Sequence, residues 1–118
     1  MEHLTFERCY EAATIIAEKI CCASASYNGI YGIPKGGWIP AAMIAYQLIL
    51  PLVNKPARNI LIVDDCINTG KALRQYYCQD YDLAVLQVHE KNVNKCRFYG
   101  LMINDFVEFP WEIKEWNL

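Results

Sequence analysis

The sequence lacks the features of several protein classes. Its 118 residues contain no run of basic residues and carry a formal net charge of −2, which argues against non-specific binding to nucleic acid. The six cysteines form no Cys-x-x-Cys pair, and no secretory signal precedes them. We therefore expect reduced, structural cysteines in a cytoplasmic protein without a zinc site. The chain also contains no internal repeat, linker or low-complexity tract.

The most apolar stretch, residues 39–53, is too short to span a membrane, because a spanning helix needs about 20 apolar residues. It contains two prolines and predicts a buried helix over Ala41–Leu50, so we expect no association with a membrane. Hydrophobic residues make up 54% of the chain and aromatic residues 13%, which is enough to form a packed core. The length predicts one small domain covering residues 1–118.

Hydrophobic patterns alternate between helical and extended periods along the chain. An amphipathic helix is predicted from Phe6, with Thr5 as its N-cap, and a brief helix from Lys71 to Cys78. The segment from His89 to Lys95 is predicted to be a polar loop. Strands are predicted over Tyr27–Ile33, Ile60–Val63, Leu83–Val88 and Arg97–Ile103. Strands that alternate with helices indicate an α/β fold with a mainly parallel sheet flanked by helices.

The segment from Ile60 to Leu73 carries most of the chemistry. A strand of aliphatic residues ends in Asp64 and Asp65, continues into a small turn at Thr69-Gly70 and leads to helix-prone residues from Lys71. The carboxylates can accept hydrogen bonds from vicinal hydroxyls or lie near a divalent cation, and N–H groups at a helix start can bind a phosphate. The alternative is an N-terminal helix cap beside a solvated acid.

A second segment, Gly32-Ile33-Pro34-Lys35-Gly36-Gly37, also follows a predicted strand. Its glycines permit positive φ and close approach of the backbone to an anion, with Lys35 as the counter-charge. The spacing is not that of a Walker A loop, and an ordinary tight turn is the alternative. Because ligands bind at the carboxyl ends of parallel strands, we expect this loop and the Asp64-Asp65 turn to line one crevice.

These motifs resemble those of a known family. Residues 63–71 (V-D-D-C-I-N-T-G-K) resemble the PRPP-binding motif of type I phosphoribosyltransferases, and residues 32–37 are similar to their pyrophosphate loop. The tail 106–112 (F-V-E-F-P-W-E) resembles the hood of the xanthine–guanine branch. Lys91 falls where 6-oxopurine enzymes carry a lysine that reads the base. The resemblance covers roughly residues 27–112.

The resemblance implies a Rossmann-like phosphoribosyltransferase fold, with a small C-terminal hood at about residues 91–118. It implies transfer of the phosphoribosyl group of PRPP to guanine, xanthine or hypoxanthine in a homodimer that uses Mg²⁺. The implied catalytic residues are Asp64, Asp65 and Asn68, and the implied metal ligands are Asp64, Asp65 and Glu112. The implied substrate-binding residues are Lys35, Gly36 and Gly37 for pyrophosphate, Thr69, Gly70, Lys71, Ala72 and Leu73 for the 5′-phosphate, and Lys91, Phe106 and Val107 for the base.

Three features depart from the family pattern. Asn68 stands where the 6-oxopurine enzymes usually carry an aspartate, and an amide cannot act as a general base. Ala72 replaces a frequent hydroxyl residue. The connector from Pro51 to Asn59 leaves room for neither the further strand nor the mobile loop that closes over PRPP. These departures favour an alternative in which the chain is a catalytically impaired module that binds PRPP or purine nucleotides.

Other interpretations of single residues stay open. Lys91 could be a solvated loop lysine, and Phe106 and Trp111 could close the core or a dimer interface. His89, a lone histidine beside a strand end, is interpreted as structural.

Overall fold

A computed structural model describes residues 1–67, 74–76 and 80–112. Short 3₁₀ helices cover Arg74–Tyr76 and Glu90–Lys95. The helices and strands follow the order β1 (Glu2–His3), α1 (Phe6–Cys22), β2 (Gly29–Gly32), α2 (Trp38–Leu48), β3 (Ile60–Cys66), β4 (Asp82–Val88), β5 (Phe98–Met102) and β6 (Val107–Glu108).

The central sheet is parallel, with the strand order β2-β3-β4-β5. Leu61 of β3 pairs with Ile30 of β2 on one side and with Asp82 of β4 on the other. The predicted α/β fold with a parallel sheet flanked by helices is confirmed. Because all four strands run in the same direction, their carboxyl ends meet at one edge, where ligands of parallel sheets bind.

Strand β3 is buried from both sides, as its run of aliphatic residues predicts. Leu61 and Val63 pack into the core cluster formed with α1 and α2, whereas Ile62 packs into a second cluster on the opposite face. The strand continues beyond the predicted end at Val63 to Cys66. Asp64 and Asp65 therefore belong to the C-terminal part of β3, and the sheet fixes the position of their backbone.

The helix predictions are confirmed with small differences. Helix α1 begins after Thr5, whose hydroxyl accepts a hydrogen bond from the Arg8 N–H at 3.0 Å. Helix α2 begins at Trp38, before the predicted Ala41, because Pro40 fits the first turn of a helix, where no N–H is required. In the described part of the chain, neither helix has the length and apolarity to cross a bilayer.

The predicted polar loop at residues 89–95 is wrong, because this segment forms the 3₁₀ helix Glu90–Lys95. His89 caps it, with Nδ1 accepting a hydrogen bond from the Lys91 N–H at 3.2 Å, which gives this histidine a structural contact. The brief helix predicted from Lys71 to Cys78 lies mostly outside the described residues. Five of the six cysteines lie in the described ranges, and no disulfide joins any two of them.

The connector between α2 and β3 was predicted to be too short for a further strand. It forms one isolated β-bridge with the sheet. Leu52 forms a single parallel bridge with Ile30 of β2. The Ile30 N–H donates to the Pro51 carbonyl and the Val53 N–H donates to the Ile30 carbonyl, both at 2.9 Å. The connector thus covers one residue of the β2 edge instead of adding a full strand.

The C-terminal hood includes a strand from the other end of the chain. Strand β1 pairs in parallel with β6, and the Glu2 N–H donates to the Phe106 carbonyl at 2.9 Å. His3 Nδ1 lies 2.9 Å from the Glu108 carboxylate. This pairing was not predicted, since each strand has two residues and neither shows a hydrophobic period.

Candidate active site

The glycine loop packs directly against the end of β3. A Cβ atom at Gly36 would overlap the Asp65 carboxylate, and one at Gly37 would overlap the Val63 carbonyl oxygen. The Ile33 N–H donates to that same Val63 carbonyl at 2.9 Å. Glycine is therefore required here because of the space beside β3. The positive φ that the sequence permitted is found at neither Gly36 nor Gly37.

Two backbone N–H groups of the glycine loop have no acceptor among the described residues. The Gly37 N–H donates to the Ile33 carbonyl at 2.8 Å. The N–H groups of Lys35 and Gly36, by contrast, form no hydrogen bond within the described ranges. Two neighbouring N–H groups without a protein acceptor, one of them on the exposed Lys35, form a site suited to an anion.

Asp64 and Asp65 line one cavity with this loop, as predicted from the shared sheet edge. The cavity has a volume of about 490 Å³, and its polar and charged side chains are those of Lys35, Asp64, Asp65 and Glu112. Cys66 also lines it, together with Trp38 and Trp111. The cavity is therefore lined by a basic residue and by three carboxyl side chains, with the Gly36 backbone directly against the Asp65 carboxylate.

The two aspartates have different environments because adjacent strand residues point to opposite faces of a sheet. Asp64 Oδ1 accepts a hydrogen bond from the Asp65 N–H, and Asp65 Oδ1 accepts one from the Cys66 N–H, both at 2.8 Å. Burial, with the Asp65 charge as the second cause, raises the pKa of Asp64 to about 8. Burial and the same carboxylates raise the pKa of the Cys66 thiol, which keeps it protonated at neutral pH.

Trp111, which belongs to the hood, forms a hydrogen bond with Asp65 that was not predicted. Its indole Nε1 donates to Asp65 Oδ2 at 3.3 Å, so both oxygens of Asp65 accept a hydrogen bond from the protein. The Trp111 ring stacks on Phe109, with centroids 5.1 Å apart, and tilts against Phe6 at 6.1 Å. The Pro-Trp-acid triplet was recognised in the sequence, but only the fold brings it to the end of β3.

We expect Trp111→Phe to lower the catalytic efficiency of nucleotide formation about 3- to 10-fold, with a decrease in melting temperature of only a few degrees. Phenylalanine keeps the stacking on Phe109 but removes the hydrogen bond to Asp65, and such a bond contributes about 0.5–1.5 kcal/mol. Steady-state kinetics and thermal unfolding measure the two effects. Trp111→Leu, which removes the stacking as well, serves as the comparison and should also lower the melting temperature. Wild-type kinetics in Trp111→Phe would show that the hydrogen bond has no positioning role.

A second cavity has a volume of about 370 Å³ and is lined by Ile67, the residue that follows β3. It brings together the three residues predicted to bind a base, Lys91, Phe106 and Val107, which come from two separate segments. Phe106 is 61% exposed, so its ring is available for stacking on a ligand. Ile67 lines this cavity and Cys66 lines the first, so two consecutive residues at the end of β3 contribute to different cavities.

Polar side chains fix the walls of this second cavity. Gln87, a buried residue at the end of β4, donates from Nε2 to the Ile103 carbonyl at 2.9 Å. Asn104 Oδ1 accepts a hydrogen bond from the Glu90 N–H at 2.9 Å, which ties the hood to the 3₁₀ helix that carries Lys91. Gln87 and Asn104 were not predicted as site residues, because single amides on strands and turns carry no sequence signal.

The remaining predicted residues divide into two groups. Asn68, Thr69, Gly70, Lys71, Ala72 and Leu73 lie outside the described residues. Glu112 lines the first cavity with Asp64 and Asp65, but the described residues contain no cluster of three His, Cys, Asp or Glu side chains arranged to hold a metal ion. Two carboxylates fit Mg²⁺ nonetheless, since this ion is usually held by one or two carboxylates together with substrate phosphates and water.

Comparison with known proteins assigns this architecture to the type I phosphoribosyltransferase fold. No protein-family profile and no curated protein sequence matches the chain. Solved structures do match. A purine phosphoribosyltransferase from Pyrococcus horikoshii has a TM-score of 0.74 at 23% identity, with 94% of this chain and 93% of that chain covered.

Two further structures are similar over comparable lengths. Xanthine-guanine-hypoxanthine phosphoribosyltransferase from Helicobacter pylori has a TM-score of 0.77 at 14% identity, and 95% of this chain and 94% of that chain are covered. A protein from Neisseria gonorrhoeae with bound ppGpp has a TM-score of 0.77 at 18% identity, covering 97% and 91% of the two chains. At these identities the similarity establishes the fold of the chain.

Proposed function

We propose that this chain is a phosphoribosyltransferase that transfers the 5-phosphoribosyl group of PRPP to a 6-oxopurine base and releases pyrophosphate. The observation that carries the proposal is the first cavity, where the unpaired N–H groups of Lys35 and Gly36 lie beside the carboxylate of Asp65. Few ligands need an anion site and a hydroxyl-binding carboxylate so close together. A pyrophosphate attached to a ribose is one of them.

Each side of the cavity would have a separate task in the reaction. Cleavage of the bond between C1 of the ribose and pyrophosphate develops positive charge on the sugar and negative charge on the leaving group. The N–H groups of Lys35 and Gly36 and the Lys35 ammonium would stabilise the negative charge, since donors fixed before the reaction need no reorganisation. Asp64 and Asp65 would accept hydrogen bonds from the ribose hydroxyls and orient the sugar.

The acidic side of the cavity would also hold the metal. Mg²⁺, when bound, supplies neutralisation of the pyrophosphate charge. Asp64 and Asp65 are the proposed protein ligands, with Glu112 at a second position of the same cavity. All three are oxygen donors, which magnesium prefers, whereas the protonated Cys66 thiol of the same cavity is a poor ligand for it.

The second cavity would bind the base. Phe106 would stack on the purine, the main chain of Val107 would contact its edge, and the Lys91 ammonium would donate to O6. The base would then lie beside Ile67, the residue next to Cys66 of the first cavity. Asn68, which follows Ile67, would hydrogen-bond the base without acting as a general base.

We expect Lys91→Met to lower the catalytic efficiency with guanine, xanthine and hypoxanthine about 10- to 100-fold. A hydrogen bond from a charged donor contributes about 1.5–3 kcal/mol, and each 1.4 kcal/mol corresponds to a factor of ten. Any activity with adenine should not fall, because adenine has no O6 acceptor. Lys95→Met is the matched control, since Lys95 is an exposed lysine on the same 3₁₀ helix that does not line the cavity. Equal losses in both variants would contradict the assignment of Lys91.

A binding module that has lost turnover is the second candidate. The similarity to the Neisseria gonorrhoeae protein with bound ppGpp supports it, because a purine nucleotide is present there without a named activity. Asn68, in place of an aspartate, points in the same direction. In this version the two cavities would bind PRPP or a purine nucleotide, and the chain would act as a sensor or interaction protein.

Product formation distinguishes the two candidates. The purified protein would be incubated with PRPP, Mg²⁺ and each of guanine, xanthine, hypoxanthine and adenine, and nucleotides separated by chromatography. The Asp64→Ala/Asp65→Ala variant controls for a contaminating host enzyme. Nucleotide that disappears in this control would establish the transferase and name its base. Absence of product together with calorimetric binding of PRPP or a nucleotide would favour the binding module, and absence of both would exclude the two proposals.

A further inference from the structure

Both polar residues that are buried in the described part of the chain line the second cavity. Gln87, near the end of β4, is 6% exposed, and Asn92, on the 3₁₀ helix that follows, is 4% exposed. Amide side chains are mostly exposed in proteins, and buried ones normally have their hydrogen-bonding groups paired. Two buried amides in the wall of one cavity therefore call for an explanation beyond packing.

The amide nitrogens of both residues already contact the backbone. Gln87 Nε2 donates to the Ile103 carbonyl at 2.9 Å, and Asn92 Nδ2 lies 3.5 Å from the Ile67 carbonyl. A carbonyl oxygen can only accept a hydrogen bond, so these contacts fix which end of each amide is the nitrogen. The remaining polar atoms of the two side chains, Gln87 Oε1 and Asn92 Oδ1, are both acceptors.

These two acceptors are available to a ligand. Within residues 1–67, 74–76 and 80–112, no group donates a hydrogen bond to Gln87 Oε1 or to Asn92 Oδ1. Neither oxygen is completely enclosed, so each keeps contact with solvent, and the opening that both residues line is the second cavity. A ligand that covers such an acceptor without supplying a donor binds about 5- to 150-fold more weakly than one that supplies it.

We propose that Gln87 and Asn92 determine the base specificity of this chain and that their side-chain oxygens select guanine over xanthine and hypoxanthine. The inference rests on the proposed function, in which the second cavity binds the base. It adds two residues to that cavity and narrows the substrate from the 6-oxopurines to one of them. Both residues would contact the base, and neither would take part in the cleavage of the bond to pyrophosphate.

The three 6-oxopurines differ at C2, and the difference is one of donors and acceptors. Guanine has a 2-amino group next to N1–H, so two adjacent donors lie on one edge beside O6. Xanthine has a carbonyl oxygen at C2, which would oppose one of the two amide oxygens. Hypoxanthine has only a C–H there and would leave one oxygen without a donor. A site that is built to bond an N–H group rejects analogues without it strongly, because its own buried acceptor stays unpaired.

The exposed polar groups of the cavity discriminate less. Lys91, Asn104 and Asp105 are exposed, so water can satisfy them whichever base is bound. The proposed hydrogen bond from Lys91 to O6 is common to all three bases and gives no preference among them. His89 Nδ1 already accepts a hydrogen bond from the Lys91 N–H. The buried oxygens of Gln87 and Asn92 are thus the acceptors for which the substituent at C2 matters most.

Calorimetric titration of the full chain with GMP, XMP and IMP, in the presence of Mg²⁺, tests the preference. The three nucleotides share the ribose and the phosphate and differ at C2 of the base, so differences in their dissociation constants report on the base cavity. We expect a dissociation constant for GMP at least about 10-fold lower than for XMP or IMP. Equal dissociation constants for the three nucleotides would overturn the inference.

Two variants test whether the two amides cause the preference. Gln87→Met and Asn92→Leu keep the approximate side-chain size and remove the acceptor, and each should raise the dissociation constant of GMP about 10-fold or more while that of IMP changes less than about threefold. Asn94→Leu is the matched control, because Asn94 is an exposed amide on the same 3₁₀ helix that does not line the cavity. Since Gln87 also bonds the Ile103 carbonyl, a purely structural role would weaken GMP and IMP equally, and that result would contradict the inference.

The outcomes separate this inference from the proposed function. Binding of all three nucleotides, or turnover of all three bases, without a preference for guanine would overturn the specificity assignment alone. Absence of binding of any nucleotide, together with absence of product from PRPP, would overturn the proposed function and the inference with it. The comparison of GMP with IMP in the wild type needs no variant, so the test holds even if Gln87→Met or Asn92→Leu does not fold.

Discussion

Asp65→Asn is expected to lower the catalytic efficiency of nucleotide formation by about 10²–10³-fold while the protein stays folded, an effect typical of removing one preorganised group from a polar active site. The asparagine side-chain oxygen can still accept the hydrogen bond from the Cys66 N–H. Its NH₂ group, however, would replace Oδ2 and face the Trp111 indole N–H, so two donors would oppose each other, and it could not accept a hydrogen bond from a ribose hydroxyl. The substitution would also remove the negative charge that is proposed to help bind Mg²⁺.

The measurement compares initial rates with PRPP and the preferred base for the wild type, Asp65→Asn and Glu18→Gln. Glu18 is an exposed acid on α1, remote from either cavity, so its variant controls for the loss of one negative charge. Thermal unfolding should show similar stability for all three proteins. If Asp65→Asn retains activity within about threefold of the wild type, the carboxylate does not act on the ribose or the metal, and the proposed division of the cavity is wrong.

The elements with regular hydrophobic patterns could be predicted from the sequence. The run Ile60–Val63 predicted a strand buried on both faces, and Thr5 predicted the start of α1, because both signals are local. The pairing of Glu2–His3 with Val107–Glu108 could not be predicted. It joins two dipeptides about a hundred residues apart, and only the completed fold brings them together.

The same distinction applies to the candidate site. The convergence of the glycine loop and Asp64-Asp65 followed from the rule that ligands bind at the carboxyl ends of parallel strands. The loop glycines were expected to permit positive φ and close approach of the backbone to an anion. At position 36 the Asp65 carboxylate leaves no space for a Cβ atom, and no positive φ occurs there. The contact between Trp111 and Asp65 depends on how the hood folds back over β3, which no local pattern encodes.

Asp64 makes the stability of the protein depend on pH in an unusual direction for an acid. Its pKa is about 8 in the folded protein and 3.8 for the ordinary group, so between these pH values the folded state holds a proton that the unfolded state has lost. The free energy of unfolding should therefore decrease as pH rises from about 4 to about 8, by up to about 1.4 kcal/mol per pH unit. The stabilisation by the protonated Asp64 side chain is fully present below pH 3.8 and is lost as pH rises through about 8, where Asp64 ionises in the folded state.

Urea unfolding of the wild type and Asp64→Asn between pH 4 and 9 measures this effect. The asparagine variant keeps an oxygen that can accept the hydrogen bond from the Asp65 N–H but does not titrate, so its stability should be nearly independent of pH in this range. Above about pH 8 it should be more stable than the wild type by a few kcal/mol, since no charge is then buried beside Asp65. Parallel curves for the two proteins would contradict the raised pKa.

A bound cation would favour the ionised form of Asp64, which is costly to form in the empty protein. Mg²⁺ with PRPP should therefore displace the Asp64 proton and bind more tightly as pH rises towards 8. The same side chain would then weaken the fold and strengthen the site, a trade between stability and function expected at an active centre.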